Sequence, residues 1–216
     1  MKPSILMTLP QFDGVTEYLH AFSQDIIKVA KNQQTPINIL ERKNANKKTF
    51  ESELRKNHKL IIFNGHGSPN TIKGHKNETI IEKGKNENLL KEKITYSRSC
   101  SSASGIGNSS MQNTKEGCFI GYSLPFVFYN DTTWAGNPSK DPTAKTFFTT
   151  TNCIPNGIIN GKKCIDAHNN SKKAILKAIK KTLLKKDSQN SQPIAEALWN
   201  NYSTQTIIGN KNASLY

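Results

Sequence analysis

The sequence predicts an α/β protein, a three-layer α/β/α sandwich on a mostly parallel sheet of about six strands. Three observations predict it. Over the first 125 residues, short apolar runs alternate with segments whose apolar positions recur three and four residues apart, the pattern of right-handed strand–helix–strand crossovers. The run KLIIF (59–63) is apolar throughout, as a parallel strand covered on both faces must be. The chain has 216 residues with neither repeat nor linker, enough for one full core. A single domain spanning 1–216 is therefore expected, with its core in 1–125 and helices and loops over 126–216.

Each element follows in order. SILMTL (4–9) is the first strand; Pro10 ends its apolar run, which is shorter than the apolar region of a secretory signal. Thr16 to Lys31 reads as an amphipathic helix through Tyr18, Leu19, Phe22, Ile26, Ile27 and Ala30. PINIL (36–40) is the second strand, Lys47 to Lys56 a polar helical link, and KLIIF the third strand, ending in the tight turn Asn64-Gly65-His66-Gly67. The polar stretch 68–85, broken at Gly74 and Gly84, reads as a small hairpin, and Asn86 to Glu92 as a short helix. KITYS (93–97) and GCFIGY (117–122) are the fourth and fifth strands.

The last third is loop by composition over 129–142, then a helix opened by Asp141-Pro142 and carrying Ala144, Phe147 and Phe148. GIING (157–161) reads as a turn or short strand. Ser171 to Lys186 reads as a Lys-rich helix with Ala174, Ile175, Ala178, Ile179 and Leu183 on one face. Ala195 to Trp199 is a helical turn and TIIGN (206–210) an edge strand.

The net charge is +14, from 30 basic and 16 acidic residues, yet the only arginines are Arg42, Arg55 and Arg98. Base edges are read mainly by Arg, so scarce Arg argues against sequence-specific DNA binding. Abundant Lys and Asn fit codon bias better than an anionic partner, so neither nucleic acid nor membrane is the expected partner. Cys100, Cys118, Cys153 and Cys164 form no C-x-x-C pair and no zinc spacing with histidine. No metal, cofactor or disulfide framework is expected. No stretch approaches the ~18 apolar residues of a membrane-spanning helix, and a cytoplasmic location is expected.

In open α/β sheets, functional side chains collect at the carboxyl ends of the strands. His66 follows the strand LIIF and Cys100 follows ITYS. If these strands are neighbours, an imidazole and a thiol share one sheet edge. An adjacent imidazolium favours the thiolate, the nucleophilic form. The small residues after Cys100 suit a helix start, whose N–H groups, with that of Gly67, can bind an oxyanion. His75, which also follows a glycine, is the competing base. Cys118 reads as core, Cys153 and Cys164 as flanking turns, and His20, His58 and His168 as surface or helix residues.

LIIFNGHGS (60–68) and ITYSRSCSSA (94–103) together resemble the caspase-like (clan CD) cysteine peptidases, the group of caspases, metacaspases, legumains, gingipains and CHAT-type peptidases. The resemblance implies a thiol endopeptidase acting on a protein or peptide substrate, in some members under an activating partner. His66 would be the general acid/base and Cys100 the nucleophile, with the N–H groups of Gly67 and Cys100 as oxyanion hole. The residue two before the nucleophile helps form the S1 pocket in such enzymes. Here it is Arg98, which would favour an acidic P1 residue. An acid elsewhere, such as Asp131 or Asp166, would favour a basic one. Trp134 is a candidate subsite residue. The alternatives are a catalytically silent binding module of the same fold and a basic surface binder using the Lys face of 172–186.

Overall fold

A computed structural model describes residues 3–184 and 191–216. Six strands form the central sheet: β1 (Ser4–Leu9), β2 (Ile37–Glu41), β3 (His58–Phe63), β6 (Ile94–Ser97), β7 (Cys118–Tyr122) and β8 (Gln205–Gly209). Their order is β2-β1-β3-β6-β7-β8. The first five run parallel; only the edge strand β8 is antiparallel, with Gly209 opposite Cys118. The carboxyl ends of β2, β1, β3, β6 and β7 therefore line one sheet edge in that order. The polar stretch after β3 forms the hairpin β4 (Thr71–Lys73) and β5 (Thr79–Glu82).

Strand alternation sends side chains to two cores. Ile5, Met7 and Leu9 join a cluster with Ile26 and Ala30 of α1 (Gly14–Asn32), Ile154 and Ile158 of α4 (Pro142–Ile159), and Cys164 of α5 (Cys164–Leu183). Leu6, Ile61 and Phe63 face the other way, onto Phe50 and Leu54 of α2 (Lys47–Leu54) and Ile72 and Ile81 of the hairpin. Both faces are covered, which is why these strands read as continuous apolar runs. No described helix is long and apolar enough to cross a membrane.

The last third departs from expectation in three places. GIING is not a turn: α4 runs on to Ile159 with Pro155 inside it. Proline lacks the N–H that would engage the Thr151 carbonyl four residues back. The buried Tyr96 hydroxyl donates to that carbonyl at 3.3 Å, so the helix passes the proline with its acceptor satisfied. The Lys-rich helix begins earlier, at Cys164, because small and polar residues (Ala167, His168, Ser171) carry its buried stripe; Leu183, expected on the inner face, is exposed. Its predicted last residues, 185 and 186, lie outside the described residues. The helical turn around Ala195 is part of a full helix, α6 (Ser191–Thr204).

His58 is neither a surface nor a helix residue but is buried at the start of β3, while His168 lies in a helix as expected and is buried there. The Gln205 amide donates to His168 Nδ1 at 3.1 Å, which requires that nitrogen unprotonated. Burial, helped by the charges of Lys172 and Lys211, lowers its pKa to about 4. The folded value lies below the unfolded one of about 6.5. The unfolded chain therefore takes up the proton first, and stability is lost as pH falls from about 6.5 toward 4. Denaturant midpoints measured across this interval should fall, and His168→Gln should flatten the decline; an unchanged slope would refute the assignment.

Candidate active site

The strand β3 ends at Phe63 and β6 at Ser97, side by side. Pairing continues past the sheet, with the Arg98 N–H donating to the Phe63 carbonyl at 3.0 Å. The turns that follow are thus forced together. A Cβ built on Gly67 would lie 2.7 Å from Ser99 Cβ, 3.0 Å from the Thr71 carbonyl oxygen and 3.4 Å from the Cys100 carbonyl oxygen. Only glycine permits this approach. Beyond the thiol, Ala103–Gly107 forms a π-turn leading into the single turn α3 (Asn108–Ser110). The Ile106 N–H donates to the Pro69 carbonyl at 2.9 Å, so the segment after the cysteine rests on the loop after the histidine. Gly105 sits there with no room for a Cβ, which would fall 2.0 Å from the Pro69 oxygen. Gly105→Ala should therefore separate the two turns and lower the melting temperature; an unaltered melt would show that the loop gives way freely.

The histidine has a partner that sequence reasoning missed. His66 Nε2 lies 2.6 Å from Asp13 Oδ2. Asp13 stands at the carboxyl end of β1, next to β3, and N-caps α1: its Oδ1 accepts the Thr16 N–H at 2.8 Å and the Thr16 hydroxyl at 2.7 Å. Partial burial opposes ionisation of this carboxyl. The Thr16 N–H and His66 outweigh that and hold its pKa below the ordinary carboxylate value. Phe12 meets the His66 ring edge-on at 6.0 Å. The imidazole is thereby held through Nε2, which leaves Nδ1 for proton transfer. The available signal was an acid-glycine pair, Asp13-Gly14, just past a strand end.

Cys100 is half-buried and free. Burial pushes its thiol pKa up, and the S–H points to the Phe126 carbonyl at 3.9 Å. Ser101, in the left-handed region at φ 55°, donates its N–H to the Leu124 carbonyl at 3.2 Å. The segment after β7 therefore runs alongside the thiol. Among the described residues no hydrogen bond joins Cys100 to His66.

Arg98 is not a pocket residue. It is 1% exposed, and its guanidinium is spent inside the protein. Nε donates to Asn64 Oδ1 at 2.7 Å, Nη1 to Asn152 Oδ1 at 3.0 Å and Nη2 to Ser23 Oγ at 2.7 Å, with a further short bond from Nη2 to Asn64. The Phe148 ring lies 5.5 Å from its carbon centre. Strand alternation and the covering helices α1 and α4 turn this side chain inward, so it has no surface to offer a substrate. Trp134 is exposed on the turn Thr132–Trp134, and no described contact links it to His66 or Cys100. His75 stands one ring further out, edge-on to Phe12 at 5.5 Å.

Of the two acids considered for a pocket, Asp166 lies in the first turn of α5, where the Ile165 N–H bonds to the Lys211 carbonyl just past β8. That is the opposite sheet edge. Asp131 is on the site's own edge: its N–H donates to Asp141 Oδ2, which also accepts the Tyr18 hydroxyl near the start of α1. Cys118 and Cys164 are buried in the core; Cys164 flanks the turn over 160–163 as expected and opens α5, whereas Cys153 lies inside α4 rather than beside a turn. Among the described residues no three His, Cys, Asp or Glu side chains cluster as a metal site. No family model matches the chain, and no curated protein matches it.

Proposed function

We propose that this protein is a cysteine endopeptidase with caspase-like architecture, in which Asp13, His66 and Cys100 form a catalytic triad. The observation that supports the reading is the close approach of the Gly67 backbone to Ser99 and the Cys100 carbonyl, which brings the turn bearing the Asp13–His66 pair against the turn bearing Cys100. Cys100 passes its proton to His66 Nδ1 as the sulfur attacks the peptide carbonyl carbon. The N–H groups of Gly67 and Cys100 receive the developing oxyanion. His66 then protonates the leaving amine, and water, deprotonated by His66, hydrolyses the thioester. Asp13 stabilises the imidazolium throughout. Because burial keeps the resting thiol protonated, this transfer has to accompany substrate binding.

With Arg98 enclosed, the basis for an acidic P1 preference is removed. A cavity of about 540 Å³ on the β7 side is lined by Tyr129, Asp131 and Thr132. Asp131 keeps one carboxylate oxygen outside its bonds to Thr133, which favours a basic P1 residue.

Peptidyl acyloxymethyl ketones with Lys or Asp at P1 test both points by intact mass. Labelling is expected on wild type, more readily with Lys, and absent from Cys100→Ala. Labelling that survives Cys100→Ala would overturn the reading. The Phe126 carbonyl over the thiol favours a second reading, a catalytically silent binding module; folded protein inert to every electrophile would support it.

A further inference from the structure

We propose that a basic cavity at the carboxyl end of β2 binds an acidic side chain on the substrate segment that follows the scissile bond. The proposal rests on the peptidase reading above and extends it to substrate class. The cavity, about 410 Å³, is lined by Glu41, Arg42, Lys43, Asn44 and His75.

Its place on the substrate path follows from topology. The leaving nitrogen must meet His66, so the chain after the scissile bond lies on the His66 side of Cys100. The strand order puts β3, bearing His66, between β6, bearing Cys100, and β1 and β2. Continuing across the edge, the next ring is Phe12, 6.0 Å from His66, and the one after it is His75, 5.5 Å from Phe12. An extended peptide advances about 3.3 Å per residue, so the backbone alone spans the two ring steps in about three to four residues, and a glutamate at the second or third residue past the scissile bond reaches the cavity with its side chain.

The lining has the chemistry for a carboxylate. Arg42 Nε donates to Gln11 Oε1 at 2.9 Å, which steadies the guanidinium and leaves both terminal nitrogens without a partner among the described residues. That fork matches a carboxylate. Glu41 is turned toward His20, 3.6 Å away. His75 lines the facing wall, and its Nδ1 is buried with no hydrogen-bond partner among the described residues. The backbone is held in an uncommon shape at both walls: Arg42 has φ 48°, and Lys76 and Asn77, beside His75, have φ 51° and 61°. Such conformations persist where surroundings impose them, often at binding sites. Here the imposing contact is close: the His75 N–H donates to the Ala45 carbonyl at 2.8 Å, and a Cβ on Gly74 would lie 2.0 Å from that oxygen.

Two quenched peptides test the proposal, identical except for Glu or Gln at the second and third residues after the cleaved bond. Wild type should cleave the Glu peptide with kcat/KM about tenfold higher, through KM, equivalent to about 1.4 kcal/mol. Arg42→Gln and His75→Gln should each bring the ratio toward one. A wild-type ratio near one, or a ratio unmoved by both substitutions, would overturn the proposal. Binding of the same two peptides to Cys100→Ala, followed by fluorescence anisotropy, separates the cavity from the chemistry. Arg42-dependent preference for Glu without wild-type turnover would sink the peptidase and keep the cavity. Turnover without preference would do the reverse.

Discussion

Asp13→Asn should lower kcat for peptide cleavage by about 100- to 10,000-fold while leaving the fold intact, the range set by the corresponding substitution in serine-peptidase triads. Asparagine caps a helix as well as aspartate does, so the bond to the Thr16 N–H survives and α1 keeps its start. What is lost is the charge 2.6 Å from His66 Nε2. The amide donates to that nitrogen or accepts from it without a charge to stabilise the imidazolium. The loss should fall on kcat rather than KM, and the acid limb of the pH–rate profile should move with it. Asp13→Ala removes the cap as well and should cost about 1 kcal/mol of stability in addition. A kcat unchanged in Asp13→Asn would remove the carboxylate from the mechanism and leave a His-Cys dyad. The pH sign follows from the same bonds. The Asp13 carboxyl has its folded pKa below the unfolded one, so its contribution to stability is present above the unfolded value and lost as pH falls through the folded value.

Arg98→Ala should destabilise the protein by about 3–5 kcal/mol, read from the denaturant midpoint. The truncation leaves a cavity and strips the donors from Asn64, Asn152 and Ser23, each of which is buried and costly to leave unpaired. These three residues belong to the turn after β3, to α4 and to α1, so the guanidinium ties together the sheet and both helices on that face. Arg98→Lys keeps a positive charge but places its donors on one nitrogen, which cannot span the three partners. It should also lose stability. The result opposed to this account is a normally stable Arg98→Ala protein with altered P1 preference, which is what a pocket-lining arginine would give.

Much of the frame was readable from local pattern. The apolar runs before His66 and before Cys100 are periodic signals carried by adjacent residues, and each strand lies where its run placed it. Gly67 next to His66 and small residues after Cys100 are likewise visible because close backbone approach excludes side chains. The last third resisted for an equally local reason. In α5 the buried stripe is Cys164, Ala167, His168, Ser171 and Ile175, mostly small or polar residues that give no hydropathy period. In α4, Pro155 looks like a terminator, because the hydroxyl that satisfies the freed carbonyl comes from Tyr96, far away in sequence.

The sequence by itself determined the class of the protein, the strand ends and the identity of a histidine and a cysteine beyond two of them, since these depend on hydropathy within a few residues. The tertiary structure alone decided which acid meets His66 and which way Arg98 points. Asp13 reaches His66 only because β1 pairs with β3, and Arg98 is enclosed only because α1 and α4 cover that face of β6. Both depend on contacts between residues distant along the chain, whose geometry is set by packing the whole sheet; the pair Asp13-Gly14 marks a strand end, but no one segment shows which side chain meets it.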